Sequence, residues 1–208
     1  EQPFPDPAYL VSPCAYVVGL LDDGVVDELD LRRHGYDFVV ADPNLWCPFA
    51  DGTSYAQFLD EKRTVAHMRE NGFSEQDIRG AFAYEETFAR ARSLLREGPL
   101  GDTWKRPSPT QAEIEELLGD EELISIVFEE SISDTIDCYV DDQRLKDALF
   151  GQGVIGAYAG PRDPGTASVH LMHSQGEVEG QASEWGYVVG GMGRVSFAIA
   201  EAALEAGA

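Results

Sequence analysis

The sequence predicts a mixed α/β fold in which residues 60–151 are mostly helical and strands are confined to the first sixty residues and to a segment around Tyr187. Three observations predict this class. Apolar residues recur at intervals of three and four between residues 60 and 151, as on the buried face of a helix. β-branched and aromatic residues cluster before residue 60, as they do in strands. Near the C-terminus the pattern changes from extended to helical at Gly190-Gly191.

The first sixty residues contain signals for one short helix and three strands. Asp22 is a residue type that caps helix N-termini, and an apolar stretch follows it, so a short helix is expected there. Phe38-Val39-Val40 has the composition of a strand. Residues 45–49 and 55–58 flank Asp51-Gly52, a dipeptide typical of hairpin turns, so these two segments are predicted to pair.

Two helices carry their own start and stop signals. Ser74 and Asp77 have the spacing of a capping box, and the helix that they begin is expected to end at Gly98-Pro99. A second helix begins in Ser108-Pro109-Thr110-Gln111, where Pro109 is expected at the first helical position, and it ends at Gly119. The segment between these helices, residues 99–109, is the expected linker.

A third helix is predicted to run without interruption from Asp120 to Val140. Apolar residues recur there at every fourth position, which places them on one buried face. The acidic residues on the other side fit a solvated surface better than a metal site. A short helix capped by Asp141 and ended by Gly151 is expected to follow.

The main candidate site is the strand-to-helix junction Trp185-Gly186-Tyr187-Val188-Val189-Gly190-Gly191-Met192-Gly193. Its two central glycines have no Cβ, so they can adopt a positive φ and let another group approach the backbone closely. The first-turn N–H groups of the following helix are expected to be available to a partner. That helix has a single polar stripe, so most of its circumference is expected to be buried. The glycines also fit a packing joint that binds nothing, because no phosphate-loop Lys and no full GxGxxG accompanies them.

Composition narrows the classes of function. The chain has 38 acidic and 15 basic residues, and the formal charge of −23 disfavours binding to nucleic acid or anionic lipid. The three cysteines are widely spaced and form no CxxC pair, which favours reduced thiols. We therefore expect a cytoplasmic location, or a mitochondrial one in a eukaryotic source. No apolar run reaches the length of a membrane span.

Other residue types that carry chemistry give weaker signals. His170 and His173 are three residues apart and could share a helix face, but no third ligand stands at a suitable spacing, so no metal site is predicted. The serines lack the sequence context of a hydrolase nucleophile. Arg194 could neutralise an anion at the start of its helix, although pairing with Glu201 is the expectation.

The motifs resemble a known enzyme family. Trp185-Gly186-Tyr187 and Gly190-Gly191-Met192-Gly193, with Pro161-Arg162-Asp163-Pro164-Gly165-Thr166-Ala167 and His173 upstream, are similar to the central part of the phytoene-desaturase-like flavin oxidoreductases. These belong to the flavin amine oxidase superfamily, and the most similar subgroup is the pyridine nucleotide-disulfide oxidoreductase domain protein 2 type. The resemblance extends from about residue 9 to residue 208 and is specific at the junction and in the Pro-Gly-Thr-Ala segment.

The resemblance implies an incomplete FAD/NAD(P)-binding oxidoreductase fold. A complete member opens with a strand, a GxGxxG turn and a helix that bind the FAD pyrophosphate, and this sequence contains none of them. We therefore expect a middle fragment that is inactive alone and needs the remaining FAD domain of its parent chain. Residues 1–60 would form substrate-domain strands and a hairpin, 61–160 a helical cap, and 161–208 a return strand and the helix leading towards the FAD domain.

The resemblance also implies roles for individual residues. Gly190, Gly191, Met192 and Gly193 would contact the FAD. The residues facing a hydrophobic, polyene-like or amine substrate would be Trp185, Tyr187, His173, Pro164 and Gly165. No residue is identified as catalytic, because the dehydrogenation, desaturation or isomerisation would depend on the chemistry of the flavin. The resemblance leaves room for peripheral contact with a membrane. A competing class is a non-enzymatic acidic helical module that binds a partner protein through its apolar faces.

Overall fold

The computed structural model describes residues 2–3, 10–12, 14–97, 107–178, 181–182 and 184–208. The chain folds as two compact units. The first consists of Glu1–Asn44 and Gly176–Ala208, and the second consists of Leu45–Gln175. Each unit has its own cluster of buried apolar side chains. Most of the predicted linker lies outside the described residues, and the three-region division at residues 60 and 160 stays a prediction.

The predicted mixed α/β class is confirmed. The helices are α1 (Asp23–Glu28), α2 (Glu61–Glu70), α3 (Glu75–Glu97), α4 (Gln111–Leu118), α5 (Glu121–Phe128), α6 (Ile132–Asp137), α7 (Gln143–Leu149), α8 (Thr166–His173) and α9 (Gly193–Glu205). The strands are β1 (Gln2–Pro3), β2 (Leu10–Val11), β3 (Phe38–Val40), β4 (Leu45–Pro48), β5 (Ser54–Gln57), β6 (Glu177–Val178), β7 (Gln181–Ala182) and β8 (Gly186–Val188). A short 3-10 turn at Phe150–Gly153 follows α7.

The first unit is built on the antiparallel pair of β3 and β8, in which Val39 stands opposite Tyr187. Val18 extends this pair through two backbone hydrogen bonds with Gly186, of 2.7 and 2.8 Å. The two-residue pairs β1–β2 and β6–β7 complete the strands of the unit. α9 packs against the core through its inner side, where Ala198 is fully buried. The buried core residues are Val18, Val26, Leu31, Tyr36, Val188 and Ala198.

The second unit packs helices against the hairpin of β4 and β5. The register pairs Leu45 with Gln57 and Pro48 with Ser54, and the predicted Asp51-Gly52 turn lies between the strands. Gly52 has a φ of 85°, a conformation that glycine adopts at little cost. The large buried side chains come from α2, α3 and the segment after residue 120. They include Met68, Tyr84, Phe88, Leu123, Ile126, Ile132, Ile136, Val140 and Leu145.

The uninterrupted helix predicted from residue 120 to residue 140 is wrong, because the chain breaks between α5 and α6. The carbonyl oxygen of Glu130 accepts the N–H groups of Gly165 and Ala167, at 2.9 and 3.3 Å, and so leaves the helical hydrogen-bond pattern. Ser131 then caps α6, since its Oγ accepts the N–H of Asp134 at 3.0 Å. Apolar residues of α5 and α6 are still buried on both sides of the break. The periodicity therefore predicted which residues are buried but not the interruption of the helix.

The start of α4 lies two positions after the predicted one. Thr110 is the N-cap, and its backbone N–H donates to the carboxylate of Glu113 at 2.7 Å while its hydroxyl accepts the N–H of Glu113 at 3.4 Å. This reciprocal pair is a complete capping box. Pro109 therefore precedes the cap and does not occupy the first helical position.

Asp77 explains why the cap of α7 is also shifted. Half of the predicted capping box of α3 is shown, since the Oγ of Ser74 accepts the N–H of Asp77 at 3.0 Å and donates to the Oδ2 of Asp77 at 2.6 Å. The Oδ1 of Asp77 also accepts the N–H groups of Asp141 and Asp142, at 2.7 and 3.0 Å. Asp142, rather than the predicted Asp141, then caps α7 by accepting the N–H of Arg144 at 2.9 Å.

The expectation that α9 is buried over most of its circumference is wrong. Ala198 is its one buried residue, and Val195 and Ala202 are partly buried against the core of the first unit. Phe197 and Leu204 lie on the other side of the helix and are 63% and 70% exposed. The core of this unit is small, so it covers one side of α9 and leaves the opposite apolar side open.

Candidate functional site

The strand side of the junction presents two aromatic residues in different environments. Trp185 is partly buried, and its ring lies so close to Gly19 that a Cβ at residue 19 would be 3.5 Å from the ring. Tyr187 is 51% exposed and faces away from the core, opposite Val39 in the sheet. Packing therefore fixes Trp185 in place, whereas Tyr187 offers its ring to a partner.

The two central glycines both have a positive φ, of 83° at Gly190 and 88° at Gly191. The N–H of Gly191 donates to the carbonyl oxygen of Val188 at 2.9 Å, which closes the turn that leaves β8. Among the described residues, its two chain neighbours apart, no heavy atom lies within 4 Å of the position that a Cβ on Gly190 would take. The predicted positive φ is confirmed, and the space beside Gly190 is open to another group.

The first turn of α9 differs from the expectation that its N–H groups are available. The N–H of Arg194 donates to the carbonyl oxygen of Gly191 at 3.0 Å, and that of Val195 donates to Met192 at 3.1 Å. The N–H of Met192 donates to the Oγ of Ser12 at 3.3 Å. Most of these donors are therefore engaged, and the junction lacks the row of donors that binds a phosphate group at other helix starts. The contact with Ser12 comes from a segment distant in sequence, and no pattern in the chain indicated it.

Arg194 is engaged in contacts inside the first unit. Its Nη2 donates to the carbonyl oxygen of His34 at 2.7 Å, and its Nε donates to that of Gly35 at 3.1 Å. Its Nη1 lies 3.6 Å from a carboxylate oxygen of Glu201, as expected from the spacing on the helix. These contacts attach the 34–35 turn to α9 and direct the guanidinium away from the glycine pair.

The remaining predicted site residues lie in the second unit. Gly165 has a φ of 83° and is the N-cap of α8, directly after Pro164. His173 lies in the last turn of α8, where its Nδ1 is 2.9 Å from the carbonyl oxygen of Val169 and 3.1 Å from that of Gln152. Two carbonyl acceptors at this nitrogen favour the tautomer that carries its proton on Nδ1. The structure thus groups Pro164, Gly165 and His173 in one unit and the junction residues in the other.

His170 faces the core of the second unit, where sequence reasoning had considered it only as a metal ligand. Its ring centroid is 4.3 Å from that of Phe88 and 5.4 Å from that of Tyr84. Burial lowers the pKa of His170 to about 3, with a smaller contribution from the nearby His173. The Nδ1 of His170 and the Oη of Tyr84 are buried with no hydrogen-bond partner among the described residues. Within the same described ranges, no group of three or more His, Cys, Asp or Glu side chains is arranged to hold a metal ion.

The second unit also contains a shallow groove. It opens to solvent beside α2 and is lined by Glu61, Lys62, Val65, Arg69 and Phe82. Three of these five side chains are charged at neutral pH, so the groove differs from the dry apolar pocket expected for a hydrophobic substrate. In the part of the chain that the structure describes, no helix is long and apolar enough to cross a membrane.

The junction fits one part of a flavin nucleotide and not another. A planar ring could lie against Gly190, because no side chain among the described non-neighbouring residues fills the space where a Cβ would stand. The pyrophosphate would need several free N–H donors, and those of Met192, Arg194 and Val195 are engaged. The residues present therefore suit contact with a ring or an alkyl chain rather than with phosphate.

Comparison with known proteins finds relatives that include two proteins of the same name. No family model matches the sequence. The chain is similar to the "Pyridine nucleotide-disulfide oxidoreductase domain-containing protein 2" of Mus musculus, with 28% identity over 224 aligned positions, and to the protein of the same name from Rattus norvegicus, with 26%. Both alignments cover 97% of this chain and 39% of the relative. The chain thus spans about two fifths of the length of these curated relatives, and almost all of it resembles proteins named for an oxidoreductase domain.

Proposed function

We propose that this chain is part of a longer FAD-dependent oxidoreductase that dehydrogenates, desaturates or isomerises a hydrophobic or amine substrate. The observation that carries the proposal is the similarity of 97% of the chain to relatives named for an oxidoreductase domain. The Gly190-Gly191 turn adds support, because both glycines have a positive φ and the described residues leave open space beside Gly190. By the parent polypeptide we mean the full product of the reading frame that contains this sequence.

The residues of the junction would position the flavin and would not perform chemistry themselves. Gly190 and Gly191 would allow a ring to lie against the backbone, and Met192 and Gly193 would border it at the start of α9. When bound, FAD would accept a hydride from a C–H bond of the substrate. The pyrophosphate would be held by a part of the parent polypeptide that lies outside this chain, since the first-turn donors of α9 are engaged.

The substrate-facing roles rest on the resemblance and on the local geometry of each residue. Tyr187 presents a half-exposed ring, and Trp185 is fixed beside Gly19, so both suit contact with an apolar substrate. In the second unit, His173 is oriented by two backbone carbonyl groups in the last turn of α8, the helix that begins after Pro164-Gly165. A fixed imidazole of this kind would serve as a positioning residue for a polar group bound to the second unit.

A second candidate function is a non-enzymatic module that binds a partner protein. The observation that favours it is the exposed apolar side of α9 in a chain with a formal charge of −23. Such a module would bind its partner without a flavin. Flavin content therefore separates the two functions.

The test is a comparison of flavin content between this 208-residue chain and the parent polypeptide. After desalting, we expect the chain alone to be colourless and the parent polypeptide to retain about one equivalent of flavin. A parent polypeptide that binds no flavin under reconstitution would contradict the oxidoreductase proposal. One equivalent retained by the 208-residue chain would instead contradict its assignment as a fragment.

A further inference from the structure

We infer that the outer face of α9 is a docking surface for the remainder of the parent polypeptide, which packs on it as an intramolecular domain contact. The inference rests on the proposed function only in taking the parent polypeptide to be longer than this chain. The outer face is made of uncharged residues on one side of the helix. They are Ser196, Phe197, Ile199, Ala200, Ala203 and Leu204.

The geometry of α9 separates this face from the sides that the first unit uses. With 3.6 residues per turn, the six residues form one continuous side of the helix. Val195, Ala198 and Ala202 lie on the opposite side and pack against the core of the first unit. Among the described residues, the core of the first unit thus packs on one side of α9, and the six residues of the outer face stay exposed.

The charged stripe of α9 is also engaged within the first unit. Glu205 accepts a hydrogen bond from the Nη2 of Arg33 at 2.6 Å, and Glu201 lies 3.6 Å from Arg194. Both carboxylates thus have internal partners on the flank of the helix. A partner that approaches the outer face meets no charge there, although the chain carries a formal charge of −23.

The outer face has the composition of a packing surface. Phe197 and Leu204 are 63% and 70% exposed and lie seven residues apart, so they stand on one line two turns apart. Ile199 is 38% exposed. Ala200 and Ala203 lie between the large side chains, and their small size lets another helix or strand approach closely. Grouped exposed apolar side chains of this kind mark interaction sites in proteins.

The occupant is part of the same polypeptide rather than a second copy. One side of a 13-residue helix presents only a few hundred Å², well below the roughly 800 Å² per partner of a stable protein–protein interface. A segment of the same polypeptide needs less area, because its effective concentration is on the order of millimolar. The relatives provide a source for such a segment, since this chain matches only 39% of their length.

The test measures how fast a cysteine placed on the outer face reacts with a thiol reagent. Phe197→Cys and, separately, Leu204→Cys are introduced after the three native cysteines are replaced by Ser or Ala. The control is Tyr158→Cys, a fully exposed position of the second unit. Each variant is prepared in the 208-residue chain and in the parent polypeptide, and circular dichroism verifies that each one folds.

We expect Cys at 197 or 204 to react about tenfold or more slowly in the parent polypeptide than in the 208-residue chain. The control should react within about twofold of the same rate in both. Equal rates at 197 and 204 in the two proteins would overturn the inference. Slow labelling of the 208-residue chain itself would also overturn the inference. If that slow rate depended on protein concentration, the occupant of the outer face would be a second copy of the chain.

The flavin content of the same parent preparations keeps the two proposals distinguishable. Slow labelling at 197 and 204 without bound flavin would support the docking surface and contradict the oxidoreductase function. Bound flavin with fast-reacting cysteines would support the oxidoreductase function and contradict the docking surface. A reading frame that adds no residues to this chain would overturn the docking surface, while the absorbance of the chain itself would still decide flavin binding.

Discussion

Arg144 donates a hydrogen bond from Nη1 to the backbone carbonyl oxygen of Asn71 at 3.2 Å, across 73 positions of sequence. Asn71 is the C-cap of α2. The same nitrogen donates to the Oγ1 of Thr53 in the hairpin turn at 2.8 Å, and the guanidinium lies 4.5 Å from the ring centroid of Phe73. Asp142 orients the group by accepting from Nε and Nη2. One side chain thus joins the hairpin, the end of α2 and the start of α7.

Arg144→Lys should destabilise the second unit by about 1–3 kcal/mol. A lysine ammonium keeps the charge but cannot reach Thr53, Asn71 and Asp142 together or stack on Phe73. Urea unfolding followed by circular dichroism measures the change. The matched control is Arg162→Lys, at a side chain that is 69% exposed with ion pairs of 3.4 Å, where a change within about 0.5 kcal/mol is expected. Equal effects of the two substitutions would show that Arg144 is not a structural link.

Local signals in the sequence predicted the elements well, because the interactions that define them lie within a few residues. The Ser74 cap, the Asp51-Gly52 turn and the positive φ of Gly190 are all of this kind. The break between α5 and α6 depends instead on Glu130 binding the start of α8, a contact between residues 35 or more positions apart. Periodicity carries no information about such a contact.

In the candidate site, too, the sequence predicted local features but not the contacts between segments distant in sequence. The glycine pair and its flanking strand could be located from the residue types alone. The engagement of the N–H groups of Met192, Arg194 and Val195 could not, because one acceptor comes from Ser12 and the others from tight 3-10 bonds at the helix start. The exposed side of α9 was also missed, since an apolar pattern does not tell which part of a molecule covers each side.

The burial of His170 should make the stability of the second unit depend on pH. Burial lowers the pKa of His170 from 6.5 to about 3. Between these two pH values the imidazole is protonated in the unfolded state and neutral in the folded state. The contribution of His170 to the free energy of unfolding is therefore fully present above pH 6.5. It is lost as the pH falls from 6.5 to 3, by up to about 1.4 kcal/mol per pH unit. His170→Leu removes the titrating group and keeps an apolar side chain of similar size.

The comparison of wild type with His170→Leu must allow for Glu85, which opposes this trend. Burial raises the pKa of Glu85 from 4.5 to about 7, so its contribution to stability is complete below pH 4.5 and is lost as the pH rises to 7. Because Glu85 is present in both proteins, it cancels in the difference between them. We expect the free energy of unfolding to fall less in the variant than in wild type between pH 6.5 and 4, measured by urea denaturation. Parallel curves would contradict the role of His170.

Ile132→Asp should abolish the cooperative unfolding of the second unit at ordinary temperature. Ile132 is fully buried, and Gly153 packs against it so closely that a Cβ on the glycine would lie 2.6 Å from the Cβ of Ile132. Burying a carboxylate there without a partner costs several kcal/mol, on the order of the whole stability of a domain this size. Circular dichroism during heating is the measurement. Cys138→Asn, at an exposed position that ends the same helix, is the control and should change stability by only about 0.5 kcal/mol.

Gly190→Ala and Gly191→Val together separate backbone strain from the loss of a binding surface. Each places a side chain at a positive φ, of 83° and 88°, so each should destabilise the first unit by about 1–3 kcal/mol. Among the described residues, its two chain neighbours apart, no atom lies within 4 Å of a Cβ at Gly190, so Gly190→Ala adds one methyl group in open space, whereas Gly191→Val adds a larger side chain. Melting temperature is measured on the 208-residue chain, and flavin bound per folded molecule on the parent polypeptide. If the glycine pair contacts the flavin, both variants bind less flavin per folded molecule than wild type, and Gly191→Val loses more than Gly190→Ala because its side chain is larger. If both melt early and their folded molecules keep full flavin, the pair is a packing joint and its assignment as a cofactor contact is wrong.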